Sequence, residues 1–317
     1  MSLVVANATA PESLSGRKGS ALVGVLTVID EEFEQVAPVL GTTENILGTH
    51  YYGLPGTKDH HQVVLAQLSG RGNVKAADAA GKLIEDFRPA YIILVGVAGG
   101  VKGRDGVGIA DVIVPNFIDY YEIRKLEKGR SLRRVEPHDH PAHSLLHSFA
   151  IPISRKKDWV GRVNPSLRPK DAGPNDGVPP QFRMGYLITG EKVLSDDTAE
   201  VQRYLLNEYD KAIAVDMESF GVAQAVYSNR GTRHYNPQFL VVRGVSDLIR
   251  HLKEDELPEG EALGEKTNNE VRQEWKPYAA HAAAIFTQAL IEQLLRSCGL
   301  PAPIVGGSSA SPKVQQQ

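Results

Sequence analysis

The chain has 317 residues, 42% of them hydrophobic and 23% charged, with a formal net charge of −3 and one cysteine, Cys298. That balance is ordinary for a soluble globular protein; it carries no overall nucleic-acid signature and leaves no cysteine pair for an internal disulfide. No apolar run approaches the ~20 residues that span a bilayer, and the first residues lack the charged-then-apolar plan of a secretion signal. The cytoplasm is the expected compartment.

Residues 1–20 are rich in Ser, Ala and Gly without periodicity and are expected to form a flexible lead-in. Residues 23–29 are continuously apolar, as in a buried central strand. Asp30, Glu31, Glu32 and Glu34 follow at once and open a helix, where acids favour the positive end of the dipole. Residues 51–68 read as a hairpin turning at Pro55-Gly56. Ser69-Gly70-Arg71-Gly72-Asn73 is a Gly-rich turn into a helix with Ala77, Ala80, Ile84 and Phe87 on one face, ended by Pro89. Residues 91–95 are a second buried strand, ending in the turn Gly96-Val97-Ala98-Gly99-Gly100, and 111–115 are a third. This alternation predicts an α/β sheet.

From Glu122 to Glu136 the chain turns basic, with Arg124, Lys125, Lys128, Arg130, Arg133 and Arg134 outweighing three glutamates. Residues 163–182 are expected to be a long inserted loop, 184–189 a strand leading to Gly190-Glu191-Lys192-Val193-Leu194, and 197–209 a helix. Residues 213–215 form a short apolar strand that turns at Asp216, Met217 and Glu218 into a small-residue helix. Residues 239–248 run apolar and then present Arg243, Ser246 and Asp247. An acidic stretch to Glu270 reads as a mobile flap. A last helix over about 275–297 carries Ala283, Phe286, Leu290 and Leu294 at helical spacing and stops at Gly299 and Pro301. With no internal repeat, one domain over 21–300 is the simplest organisation, followed by a disordered tail over 301–317.

In open α/β sheets ligands bind at the carboxyl ends of strands, and two such ends here deliver charge. Val215-Asp216-Met217-Glu218 followed by Val241-Val242-Arg243-Gly244-Val245-Ser246-Asp247 resembles the purine nucleoside phosphorylase and nucleosidase superfamily. The likeness is greatest to its methylthioadenosine/S-adenosylhomocysteine nucleosidases and runs from about residue 23 to 295. It implies a three-layer α/β/α fold with a mixed central sheet, and hydrolysis of the N-glycosidic bond of adenine nucleosides or nucleotides with release of adenine. It also implies a homodimer, a small purine nucleoside or nucleotide as partner, and no cofactor, metal, nucleic acid or membrane.

Breaking a purine–ribose bond develops positive charge on the sugar and negative charge on the base. The reaction wants an acid at the purine, a carboxylate near the sugar and an activated water. The resemblance implies that Asp247 protonates the purine at N7; the residues alone equally allow Ser246-Asp247 to cap a helix. It implies that Glu218 holds the ribose hydroxyls and Met217 packs on the ribose face, against the plain alternative of a first-turn acid and a core filler. Glu32 falls on the acid that activates water, with Glu31 its rival by a one-residue slip, and Arg243 on the arginine that supports that acid and the water. Val97, Ala98, Val193 and Leu194 complete the expected substrate contacts. Leu194 would offer backbone hydrogen bonds to the base. Val97 stands where the family carries a serine, and Val193 where it carries a purine-stacking phenylalanine.

A phosphorylase must hold a dianion, usually with arginines. Here the early loop is acidic at Asp30, Glu31 and Glu32, and Leu94 and Val95 precede Gly96 with no arginine, so water is the expected nucleophile. Phosphorolysis and a non-catalytic nucleotide-sensing module are the alternatives. Within the basic stretch, Arg133 and Arg134 are candidate contacts to the phosphates of AMP or ATP, unless the stretch is a solvated loop. The chain also resembles, through its insertions, nucleosidase domains that act as effectors in bacterial defence. His138-Asp139-His140-Pro141-Ala142-His143 has the look of a metal cluster, but Pro141 and the loop context argue for exposed polar residues. The turn at 69–73 lacks the full dinucleotide fingerprint, though Arg71 could approach the site.

Overall fold

The computed structural model describes residues 19–46, 50–55, 60–134, 140–170, 177–195, 199–230, 234–250 and 267–301. The expected lead-in, the tail, most of the acidic flap, Gly56 of the hairpin turn, and His138 and Asp139 lie outside these residues.

In chain order the first half comprises β1 (Ser20–Thr27), α1 (Asp30–Leu40), β2 (Glu44–Asn45), β3 (Tyr51–Gly53), β4 (His60–Gln67), α2 (Asn73–Phe87) and β5 (Tyr91–Val101). Then come β6 (Val112–Ile113), β7 (Phe117–Tyr120), β8 (Arg124–Glu127) and β9 (Arg130–Arg133). The helical stretch α3 (His143–Leu145) and α4 (Ile151–Lys156) is joined through a π-type turn over Leu146–Ala150. The last part contains β10 (Phe182–Arg183), β11 (Tyr186–Thr189), α5 (Glu200–Glu208), β12 (Ala212–Asp216), α6 (Ser219–Ser228), β13 (Gln238–Ile249) and α7 (Asn268–Ser297).

Eleven described strands form one sheet, in the order β10-β6-β13-β5-β1-β4-β3-β2, with β12, β11 and β7 branching from β5. Strands β4, β1, β5 and β13 are parallel; β12 on β5 and β6 on β13 are antiparallel. The sheet is therefore mixed. Its strands are buried on both faces, and the period-two alternation of a strand sorts them. Ile93 and Val95 of β5, with Leu240 and Val242 of β13, pack in the core that holds α1 and α7. Ile92 and Leu94, with Phe239 and Val241, pack in the core that holds α2 and α6. The result is the three-layer arrangement that the resemblance implied. Helix α2 buries Ala76, Ala80, Leu83, Ile84 and Phe87, a face turned slightly from the expected one, since Ala77 is only half-buried. Among the described residues no helix is long and apolar enough to cross a membrane.

Several expectations need correction. Gly96 to Gly100 is not a turn: β5 continues through it to Val101. Asp247 does not lie beyond a strand or cap a helix, because β13 runs to Ile249. A register shift between Val245 and Asp247 makes Ser246 a bulge, which locally re-aims side chains. The basic stretch is a hairpin, β8 on β9, rather than a loop. The final helix starts seven residues early, at Asn268, behind a capping box in which Thr267 and Glu270 satisfy each other's backbone.

These two long strands create the crevice. On one edge β13 pairs with β5 over almost its whole length. On the other edge β1 pairs only with Tyr91 to Leu94, and β12 only with Gly99 and Gly100. Between them Val95 to Ala98 has no neighbour on that side among the described strands. The carboxyl ends of β1 and β12 converge on this gap.

Candidate active site

Side chains fill the gap from four directions. The turn after β1 delivers Glu32, which sits in the first turn of α1 and is 2% exposed. Its carboxylate takes the place of the missing strand: Oε1 accepts from Val97 N at 2.8 Å, and Oε2 accepts from Val28 N at 2.8 Å and Ile29 N at 3.3 Å. Burial pushes the Glu32 carboxyl upward, against the pull of Arg243 and of these backbone donors. Glu31, its rival, points instead to Lys276 Nζ at 2.9 Å and is nearly half exposed.

The turn after β12 delivers Asp216, Met217 and Glu218, and β13 delivers Arg243 from behind. The Arg243 side chain is fully buried. Its Nε and Nη2 reach Asp216 Oδ2 at 2.9 and 2.7 Å, and Nη2 reaches Glu218 Oε2 at 3.2 Å. The resemblance implies that Arg243 supports Glu32 and the water. Its direct bonds go to Asp216 and Glu218, while Nη1 has no hydrogen-bond partner among the described residues. Nη1 and Glu32 Oε1 crowd the same point over Gly96, where an added Cβ would collide with both. Glu218 Oε1 accepts from Gly72 N at 3.1 Å. Burial pushes Glu218 up to about 7 from 4.5, Arg243 opposing and Asp216 and Glu32 adding. One guanidinium among three buried carboxylates cannot balance them all, so this group favours holding a proton.

Asp247 is fully buried on the far side of the gap and lines the same cleft. Arg272 grips it with two nitrogens, Nε to Oδ1 and Nη2 to Oδ2, both at 2.9 Å. Asn268 Nδ2 reaches Oδ2 at 2.9 Å, and Ser246 Oγ donates to Oδ1 at 2.7 Å. Of these partners on α7, Asn268 lies in the stretch expected to be a flap and Arg272 between that stretch and the expected helix, so neither stood out in the sequence. The signal was the Thr267-Asn268-Asn269-Glu270 capping pattern.

Glu32, Glu218 and Asp247 thus line one open cleft of about 240 Å3, together with Met217, Val97 and Ala98. Val193 and Leu194 form another part of the wall, with Val193 48% exposed. The Leu194 carbonyl faces Arg272 Nη2 at 3.5 Å. Arg71, Asn269, Gln273 and Lys276 also line the cleft. Arg133 and Arg134 do not. Arg133 pairs with the buried Asp119, donates to Tyr186 Oη and lies over the ring of Tyr209 at 5.1 Å. Arg134 is exposed at the end of the hairpin. Their expected role as phosphate contacts is corrected on that ground: the first is spent holding β9 against the sheet, the second faces solvent. His143 stacks on His147 at 4.0 Å between ring centroids.

A family model described as the phosphorylase superfamily matches residues 23–296. The 5′-methylthioadenosine/S-adenosylhomocysteine nucleosidase of Staphylococcus saprophyticus is 25% identical over 231 residues, which are 72% of this chain and 86% of that protein. The crystal structure of the enzyme of the same name from Neisseria meningitidis, in complex with methylthio-immucillin-A, superposes with a TM-score of 0.61 at 19% identity, covering 87% of this chain and all of that one. That from Colwellia psychrerythraea, in complex with adenine, gives 0.60 at 20% identity over 88% and 97% of the two chains.

Proposed function

The chain belongs to the phosphorylase superfamily, and on that premise we propose that it hydrolyses the N-glycosidic bond of an adenine nucleoside or nucleotide, releasing adenine. One observation carries the reading: Glu32, Glu218 and Asp247, far apart in sequence, line a single cleft. Water attacks C1′ as the C1′–N9 bond breaks. Glu32 takes the proton of that water. The unpartnered Arg243 Nη1, beside Glu32 above Gly96, supplies a donor to position it. In its acid form Asp247 gives a proton to the purine at N7, and the Arg272 guanidinium holds the carboxylate that results, the form paired in this structure. Glu218 accepts from the ribose hydroxyls, and its charge favours the cationic sugar. Met217 packs on the ribose face.

Water is favoured over phosphate because a carboxylate, bonded to three backbone N–H groups, occupies the floor where a dianion would have to sit. The relatives' names support an adenine nucleoside as substrate. The family resemblance further supports a homodimer working in the cytoplasm, and the likeness to defence effectors supports an antiviral role. Adenine release followed in phosphate-free buffer tests the reaction. We expect equal rates with and without added phosphate and free sugar as co-product. A strict phosphate requirement with a sugar 1-phosphate as product overturns hydrolysis in favour of phosphorolysis, and binding without turnover favours a sensing module.

A further inference from the structure

Acids and cations both line the cleft. Four cations line it, and three are matched: Lys192 with Glu122, Arg272 with Asp247 at 2.9 Å, and Lys276 with Glu31 at 2.9 Å. Arg71 is the surplus charge. It is exposed, lines the cleft, and has neither a hydrogen bond nor an ion pair among the described residues.

Its position along the cleft follows from its neighbours. Gly72, the next residue, donates to Glu218 at 3.1 Å, so Arg71 lies beside the sugar-handling carboxylate. Lys276 lines the same cleft as Arg71 and holds Glu31, the neighbour in sequence of Glu32, at 2.9 Å. On α7, Asn268, Arg272 and Lys276 recur every fourth residue, which places them on one face of the helix. Asn268 and Arg272 serve Asp247, at the base end. Lys276 is one turn further, roughly 6 Å along the axis. The stripe therefore runs from Asp247, at the base end of the cleft, to Glu31. Lys276 is 3% exposed and spends two of its three ammonium donors on Glu31 and Gln273, each at 2.9 Å.

We propose that Arg71 and Lys276 form an anion subsite for the 5′ substituent, and that the substrate is a 5′-phosphorylated adenine nucleoside. The assignment rests on the adenine-hydrolase reading of the same cleft. A thioether at this end would leave Arg71 without a counter-charge and would meet the polar Gln273 and Lys276. A phosphate would take charge-assisted bonds from both cations. The phosphate contact that the sequence suggested for the β8–β9 hairpin moves to the turn before α2.

The test compares kcat/KM for adenine release from AMP, ATP, adenosine, methylthioadenosine and S-adenosylhomocysteine in phosphate-free buffer, for the full chain and for Arg71→Ala and Arg71→Met. A phosphorylated compound should be preferred to methylthioadenosine by at least about tenfold. Both variants should cut that preference about tenfold or more, mainly through KM. Preference for methylthioadenosine or S-adenosylhomocysteine overturns the proposal, as does a preference unchanged in both variants. If no compound releases adenine, the hydrolase reading fails. The subsite is then decided by calorimetric binding of AMP: about tenfold weaker binding in both variants sustains it, and equal binding overturns it.

Discussion

The decisive residues are charged groups in a place where charge is expensive. Glu32, Asp216 and Glu218 are all buried, and Arg243 is the cation embedded among them. Because burial raises Glu218 to about 7, the folded protein keeps a proton there that the unfolded chain releases above 4.5. The resulting stability is fully present below 4.5 and is lost as pH rises through about 7. Burial raises Glu32 as well, which adds to the same slope. Urea melts at about pH 5 and pH 8 should show wild-type stability falling more over that interval than in Glu218→Gln, where one titration is gone. Equal slopes contradict this account of the cluster. Gly96 is the second residue-scale test. An added methyl has nowhere to go between Glu32 and Arg243, so Gly96→Ala should cost about 1–3 kcal/mol in denaturant unfolding, together with most of the activity. A variant with wild-type stability and rate would show that these two groups are not held against β5.

Among the elements, α7 does two jobs. Its middle packs so closely on β13 that a Cβ at Gly244 would strike the carbonyl of Ala279. Its first three turns carry Arg272 and Lys276 over the cleft. Removing the Arg272 side chain leaves Asp247 buried with only Ser246 and Asn268, so Arg272→Ala should destabilise by about 3 kcal/mol; urea unfolding checks it, and a loss below about 1 kcal/mol contradicts the bidentate pair. The β8–β9 hairpin has the opposite status. Arg133→Ala strips the cation from buried Asp119, so thermal unfolding should drop by several degrees while KM for AMP stays within about twofold. A tenfold rise in KM would return the hairpin to the cleft. The sequence displayed some of these elements and hid others for physical reasons. Apolar runs at 23–29 and 91–95 disclosed β1 and β5, because strands buried on both faces are apolar throughout. The continuation of β5 through Gly96 to Gly100 was hidden, because glycines that let side chains approach a strand look the same as glycines that turn a chain. The first turns of α7 are polar because they face the cleft, so no apolar periodicity marked them; only the Thr267–Glu270 cap did. Three acids were legible as motif residues. Arg272, Lys276 and the placement of Arg71 were not, since they depend on where a polar helix lands.

For the whole molecule, the central feature is the unpaired stretch of β5. One long edge is shared by β1 and β12, which leave Val95 to Ala98 uncovered, and the ends of both strands turn into it. The branch in the sheet makes this possible, because β1 and β12 each border β5 over only part of its length. The architecture brings Glu32, Glu218 and Asp247 from three separate elements to one cleft. The most direct test follows adenine release from AMP in phosphate-free buffer by the wild-type chain, Glu32→Gln, Glu218→Gln and Asp247→Asn, each first shown to be folded by circular dichroism. The account predicts stoichiometric adenine from the wild type and a fall in kcat of about 100-fold or more in each variant. Variants that retain more than about a tenth of the wild-type rate would contradict a single site built on these three carboxylates.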